Sequence, residues 1–382
     1  MEETLSLGRI AGVRVGLHWS VLVIVVLVTL ALAQGRFPAA HPGHSALLYW
    51  ALGLLTAVVF LASLLAHELA HAVVARRNGV PVEGVTLWML GGAARLSGEA
   101  PTPAAEFRIA SVGPLTSLLA GGLLAGAAVG LDALHASALL VEAVAWLAAI
   151  NVLLAVFNSL PAAPLDGGRL LRAYLWRRTG DRLRATRGAS AAGRALGWFM
   201  VVTGFAAVLL RGDLSGLWAA LLGWFLIAAA TSEARQAEIR GVLDGVPVSR
   251  VMTGGPVTVP ANATLAGFLA EGPFGHYRHS TFPVTAADGT VIGLLTIRRL
   301  DATPPQERAR TTVREAMLPL SECVVATPEE PVLDVLARLE ASPVRRALVL
   351  ADGRPAGILA LSDIARALTW PATSGRPGPQ RR

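Results

Sequence analysis

Up to Ala230 the chain alternates long apolar runs with short polar breaks. Six runs stand out: Leu17–Ala33, Leu47–Ala75, Ile109–Leu131, Ala136–Leu160, Ala195–Leu210 and Leu214–Ala230. Within the second, Leu47–Ala66 is 20 residues without a charge, the length an α-helix needs to cross the hydrocarbon core of a bilayer. The pattern predicts about six transmembrane helices. The last two runs are shorter and the break between them, Arg211-Gly212-Asp213, is tight, so a helical hairpin or shallow spans are expected there. Pro81–Pro103 is too polar and glycine-rich to span. Inside it, Val85–Leu90 followed by Gly91-Gly92 reads as a strand and a turn. A β-hairpin dipping toward the membrane is expected, because irregular backbone at that depth survives only when protein or a wet cavity covers it.

From about Val246 the composition becomes that of a soluble domain and an internal repeat appears. Val248-Ser249-Arg250-Val251-Met252 is echoed by Val313-Arg314-Glu315-Ala316-Met317. The stretch from Phe282-Pro283-Val284 to Gly293-Leu294-Leu295 is echoed by Arg346-Ala347-Leu348 to Gly357-Ile358-Leu359. Each copy reads as strands and helices of an α+β unit that pairs with its twin. The expected organisation is a membrane domain over 1–240, a first repeat over 246–308, a second over 309–370, and a disordered Pro/Gly/Arg-rich tail over 371–382.

Composition sharpens this picture. Of 382 residues, 53% are hydrophobic and 15% charged, against about 25% charged in a soluble protein. The net charge is +7, and every basic side chain is arginine. No aromatic-interleaved basic stripe accompanies them, so nucleic acid is not expected as a partner. The arginines serve orientation instead. The loop expected after the fourth run holds Arg177, Arg178, Arg182, Arg184, Arg187 and Arg194, whereas the opposite side shows little beyond Arg36 and Arg211. By the positive-inside rule the arginine-rich stretch is cytoplasmic, and counting spans from it puts both termini and the repeat pair in the cytoplasm of a multi-pass cell-membrane protein. Met1–Gly16 lacks the pattern of a cleavable signal, so the first run is expected to be retained. A single cysteine, Cys323, rules out an internal disulfide framework.

The chemistry sits at the end of the second run, in His67-Glu68-Leu69-Ala70-His71. A helix stacks residues four apart on one face, so His67 and His71 can hold one Zn²⁺ while Glu68 acts as general base on a bound water. A catalytic zinc usually takes three protein ligands, so a third must come from elsewhere. At the end of the fourth run, Asn158-Ser159-Leu160-Pro161-Ala162-Ala163-Pro164-Leu165-Asp166-Gly167-Gly168 breaks the helix with two prolines and a glycine pair. It presents Asp166 from unwound backbone near membrane depth, where a carboxylate costs roughly 2.5–3.5 kcal/mol and signals function.

The HExxH motif at a span end, with Asn158 to Gly168 matching an NxxPxxPLDGG stretch, resembles the site-2 protease family of intramembrane zinc metalloproteases. Gly113-Pro114-Leu115-Thr116-Ser117 resembles a packing motif of the same family. The resemblance implies that His67, His71 and Asp166 bind Zn²⁺, that Glu68 is the base, and that Asn158 hydrogen-bonds the developing oxyanion. The implied substrate is a transmembrane protein segment, locally unwound in the bilayer and held as an added strand by the Gly91-Gly92 hairpin. The C-terminal repeat resembles a CBS domain pair, which implies an adenine nucleotide ligand or a dimerisation role, the latter giving a homodimer. Ribose-binding members tend to carry Gly-x-x-Thr-x-x-Asp. Here the first copy has Gly293 and Thr296 but Arg299 in the Asp position, and the second has Gly357 and Asp363 but Ala360 in the Thr position. Arg299 and Asp363 are thus the candidate nucleotide contacts, Arg299 toward a phosphate.

The expected fold is a polytopic α-helical membrane protein with a membrane-associated β-hairpin, followed by an α+β CBS pair. The expected activity is intramembrane zinc endopeptidase in regulated proteolysis. Two rivals remain: a CBS-gated metal transporter or channel, in which the same side chains bind a permeating ion, and a non-proteolytic zinc scaffold. Inverted repeats would favour the transporter, and the sequence shows none.

Overall fold

The computed structural model describes residues 4–89, 91–96, 98–270 and 280–369, so the expected tail over 371–382 lies outside the described residues. The chain divides into two compact units, Met1–Ala237 and Glu238–Arg382.

The first unit opens on two strands that the apolar pattern did not signal, β1 (Leu5–Ile10) and β2 (Val13–Leu17), joined at Ala11-Gly12 with both residues at positive φ. Arg76 fixes the turn by donating to the Ala11 carbonyl (3.0 Å). The first apolar helix therefore begins at Val21 rather than Leu17. It runs as α1 (Val21–Leu30), a π-helical segment (Ala31–Arg36) and α2 (Phe37–Ala40). Then come α3 (Ala46–Arg77), β3 (Val82–Trp88), β4 (Gly91–Leu96), α4 (Pro103–Ala133), α5 (Ala138–Asn158), α6 (Asp166–Thr179), α7 (Arg182–Arg211) and α8 (Ser215–Leu243). Among the described residues, six apolar helical stretches are long enough to cross a membrane. The last two, α7 and α8, are joined by a short turn as a helical hairpin, and each continues as helix beyond its apolar run.

The arginine-rich stretch is also helical, not a loop. Only Gly180 and Asp181 separate α6 from α7: Gly180 takes the left-handed conformation that ends α6, and Asp181 caps α7 by accepting from the Arg184 amide. Local signals set two other helix starts too. Ser45 caps α3, and Thr102 caps α4 with Pro103 at its first position. Glu142, within α5, pairs with Arg36 (2.6 Å).

The strands form one sheet in the order β1-β2-β3-β4, with β2 and β3 parallel (Val15 opposite Val85) and β3 and β4 antiparallel (Trp88 opposite Gly91). Its buried side chains, Val13, Val85 and Leu87, pack on Ala72 and Leu64 of α3. This lays β4, an edge strand, beside the histidine-bearing turns of α3.

Close helix packing rests on glycine. A Cβ at Gly204 would lie 2.4 Å from the Gly216 carbonyl and one at Gly216 2.2 Å from the Gly204 carbonyl; Gly197 and Gly223 meet in the same way. Small residues that let backbones touch are the usual device for helix association in lipid.

In the second unit, β6 (Val259–Pro260), β7 (Thr281–Thr285), β8 (Val291–Thr296) and β9 (Leu318–Pro319) form one sheet in the order 6-7-8-9. The other sheet has the order β10-β11-β12-β5, with β5 (Thr253–Gly254), β10 (Val324–Ala326), β11 (Arg346–Ala351) and β12 (Arg354–Ala360). The repeats exchange strands. β9 opens the second copy in sequence but completes the first sheet, and β5 opens the first copy but completes the second. Leu294, Leu318 and Leu348 pack between them, so the two copies share a core.

Gly216→Val is expected to drive α7 and α8 apart and lower stability by about 1–3 kcal/mol, as overpacking does. Gly126→Val, in open space on α4, should change it little. Unfolding in detergent, followed for both variants, measures the difference.

Candidate metal centre

His67 and His71 lie one turn apart on α3, with Nε2 atoms 3.2 Å from each other. Asp166, the first residue of α6, brings Oδ2 to 3.2 Å from His67 Nε2 and 3.1 Å from His71 Nε2. The three expected metal ligands are therefore gathered at one point, with both histidines buried.

Asp166 arrives there because the chain between α5 and α6 folds tightly. Leu160, Ala162 and Ala163 form that turn, with a cis peptide at Ala163-Pro164. Gly167 and Gly168 let the first turn of α6 press against it: a Cβ at Gly167 would fall 2.2 Å from the Leu160 carbonyl, and one at Gly168 2.3 Å from the Ala163 amide nitrogen. The Ala163 amide donates to Ala189 on α7 (3.3 Å), anchoring the turn from outside.

The other imidazole nitrogens are committed to α4. His71 Nδ1 donates to the Ile109 carbonyl (2.6 Å), and His67 Nδ1 meets Ser117 Oγ (2.8 Å). The Ile109 carbonyl can only accept, so His71 carries its proton on Nδ1 and turns the Nε2 lone pair to the centre; Ser117 Oγ is able to accept from His67 Nδ1 in the same way. Gly113 lies against both rings, where a Cβ would stand 2.1 Å from His71 Nε2 and 2.6 Å from His67 Nε2. Gly113 and Ser117 belong to the stretch read as a packing motif; their service to the histidines is visible only in three dimensions.

This donor set fits zinc. Zn–N and Zn–O bonds of about 2.0–2.1 Å at tetrahedral angles put ligand atoms about 3.3 Å apart, close to the separations here. Three electron-pair donors at that distance repel one another unless a cation lies among them, and two nitrogens with one carboxylate oxygen is a zinc-type set that leaves a fourth position open.

Glu68 follows His67, so it projects from the same turn of α3 in a different direction. It meets the hairpin: a Cβ at Gly92 would lie 2.0 Å from Glu68 Cγ. β4 thus passes directly over the carboxylate, and glycine is needed at the crossing. Asn158 ends α5, where its side-chain amide donates to Leu154 (3.1 Å) within its own helix.

In the second unit a cleft of about 310 Å³ is lined by Thr253, Ser280, Arg346, Ala360, Asp363 and Arg366, among others. Asp363 Oδ2 accepts from the Ala360 amide (2.9 Å), and Oδ1 lies 3.4 Å from Arg366. Arg346 donates to Ser280 Oγ (2.8 Å), joining the two repeats across the cleft. Asp363 is therefore a cleft residue. Arg299 is not among the residues lining it; it is exposed in the short helix Ile297–Asp301.

An HExxH helix completed by a distant aspartate is a donor set of the zinc-metallopeptidase class. Comparison with known proteins agrees. Peptidase family M50 matches residues 55–136 and 121–202, and the CBS domain matches 248–301 and 313–369. Rip3 of Mycobacterium tuberculosis, described provisionally as a zinc metalloprotease, is 45% identical over 96% of this chain and 93% of its own. The sll0528 protein of Synechocystis, described in the same terms, is 29% identical over 96% of each chain. Among solved structures, the site-2 protease from Methanocaldococcus jannaschii is 26% identical and covers 60% of this chain and 95% of its own, with a TM-score of 0.41. The chain belongs to peptidase family M50, the site-2 proteases, and is a zinc metalloprotease carrying a CBS domain pair.

Gly113→Ala places a methyl group among the ligand nitrogens and is expected to weaken zinc binding at least about tenfold, at the low end for disturbed ligand support. Gly122→Ala, where nothing lies within 4 Å, should bind as wild type. Chelator competition on the purified proteins measures both.

Proposed function

We propose that this enzyme hydrolyses a peptide bond in or beside the transmembrane segment of a membrane protein, releasing a cytoplasmic fragment in regulated intramembrane proteolysis. The observation that carries the proposal is the passage of β4 across Glu68. β4 is an edge strand, so one row of its backbone groups is open to a further strand. A locally unwound substrate segment that adds to this edge lays its own backbone across the centre, the recognition mode of strand addition.

Zinc held by His67, His71 and Asp166 supplies a Lewis acid and a place where water ionises near neutral pH. Glu68 takes the proton as the water oxygen attacks the scissile carbonyl carbon, then delivers it to the departing amine nitrogen as the C–N bond breaks. Asn158, on exchanging its hydrogen bond to Leu154 for one to the carbonyl oxygen, stabilises the charge developing there. Ser117 and the Ile109 carbonyl keep both imidazoles in orientation and tautomer. The arginines of α6 and α7 support an orientation with the centre in the cytoplasmic half of the membrane and both termini inside.

The CBS pair regulates the protease by binding an adenine nucleotide. In the cleft, Asp363 is the acceptor for ribose hydroxyls, while Arg346 and Arg366 are the cations for phosphate, the role first expected of Arg299. Dimerisation through the pair is the second reading, and the oligomeric state with and without nucleotide separates the two.

Wild type is expected to cleave members of a panel of single-span substrates in detergent, and Glu68→Gln to lose about 10²–10⁴-fold or more of that activity while retaining zinc. A zinc-loaded wild type that cleaves no substrate would return the transporter and scaffold readings to the front. For the nucleotide, Asp363→Ala is expected to weaken ATP or AMP binding by about tenfold, the loss of a charged hydrogen bond, as measured by equilibrium titration of the full-length protein.

A further inference from the structure

Arg172, on α6, touches nothing in the catalytic centre. Its guanidinium nevertheless joins three helices. Nε donates to Glu106 Oε1 on α4 (2.6 Å), Nη2 pairs with the same oxygen, and Nη1 donates to Glu233 Oε1 on α8 (2.9 Å). Glu106 has no exposed surface, and its second oxygen is buried without a hydrogen-bond partner among the described residues. A second cation, Arg169, lies within the electrostatic reach of Glu106, Glu233 and Asp166.

A buried ion pair is a poor way to gain stability, because desolvation offsets most of the attraction. Its value is geometric, and its position here says what it sets. On α4, Glu106 shares a face with Ile109, Gly113 and Ser117, at spacings of three, seven and eleven residues. Those three positions receive His71 Nδ1, both histidine rings and His67 Nδ1 respectively. On α6, Asp166 precedes Arg172 by six residues, about 9 Å along the axis. The pair therefore ties the helix that delivers the carboxylate ligand to the helix that orients the two imidazole ligands.

We propose that Arg172 and Glu106 are positioning residues for the metal: their ion pair fixes the register of α6 against α4 and thereby holds Asp166 at ligand distance from His67 and His71. The inference rests on the zinc centre described above. The planar guanidinium holds Glu106 Oε1 through Nε and Nη2 and Glu233 through Nη1, fixing distance and angle together, which lysine, a point charge on a flexible stem, does less well.

The test uses the full-length protein in detergent, with Arg172→Gln, Arg172→Lys and Glu106→Gln beside wild type. Zinc affinity is read by chelator competition. The visible absorption of the cobalt-substituted protein reports ligand geometry, and the melting temperature of the metal-free protein reports folding. Arg172→Gln and Glu106→Gln are expected to bind zinc about 10-fold or more weakly and to shift the cobalt bands, with Arg172→Lys intermediate. Wild-type zinc affinity and wild-type cobalt bands in both neutralised variants, whatever the melting temperature, would overturn the proposal and leave a structural brace. If Arg172→Gln fails to fold, Glu106→Gln and Arg172→Lys carry the same two outcomes. Both readouts are made without substrate, so failure of this inference and failure of the substrate reading are separate results.

Discussion

Three lone-pair donors held 3.1–3.2 Å apart inside a helical bundle are unstable without a cation, and the membrane unit is arranged around that demand. α3 supplies two donors at helical spacing. The break between α5 and α6 supplies the third. α4 supplies nothing to the metal directly, yet it fixes both imidazoles through a carbonyl and a hydroxyl and makes room for them with Gly113. Each departure from regular apolar helix in this region has a physical reason at the centre. Two prolines end α5, a glycine pair lets α6 start against its own turn, and a glycine in β4 clears Glu68.

The sheet brings a second constraint. Its buried face needs α3 for cover, which places its free edge beside the same turns that carry the metal ligands. An open strand edge in a water-poor setting carries unpaired amide and carbonyl groups, a cost that is relieved when another strand adds. In the second unit the exchange of β5 and β9 makes neither repeat complete alone, and the cleft draws its lining from both copies.

Much of this was legible in the sequence. The His67/His71 spacing and the Asp166 stretch pointed to the candidate metal site whose three side chains the fold gathers, because helix period and helix breakers are local signals. The six apolar runs and the repeat after Val246 were equally plain. β1 was not, since Leu5, Leu7 and Ile10 are exposed and show no buried alternation, and in β2 the alternation of buried Val13 and Val15 runs for only five residues. The arginine stretch looked like a loop because its charges hide a two-residue turn. β5 and β9, two residues each, carry no pattern at all. Arg172 and Glu106 are 66 positions apart, and nothing local marks either as a partner of the other. Arg299 was placed by motif position alone, whereas the cleft draws its cations from Arg346 and Arg366.

The central claim is the metal and its donor set, and zinc-edge X-ray absorption of the purified full-length protein tests it most directly. Two imidazole nitrogens and one or two oxygens at about 2.0–2.1 Å are expected, in a four-coordinate shell without sulfur. A first shell lacking imidazole scattering, or a purified protein that takes up no zinc, would contradict the account.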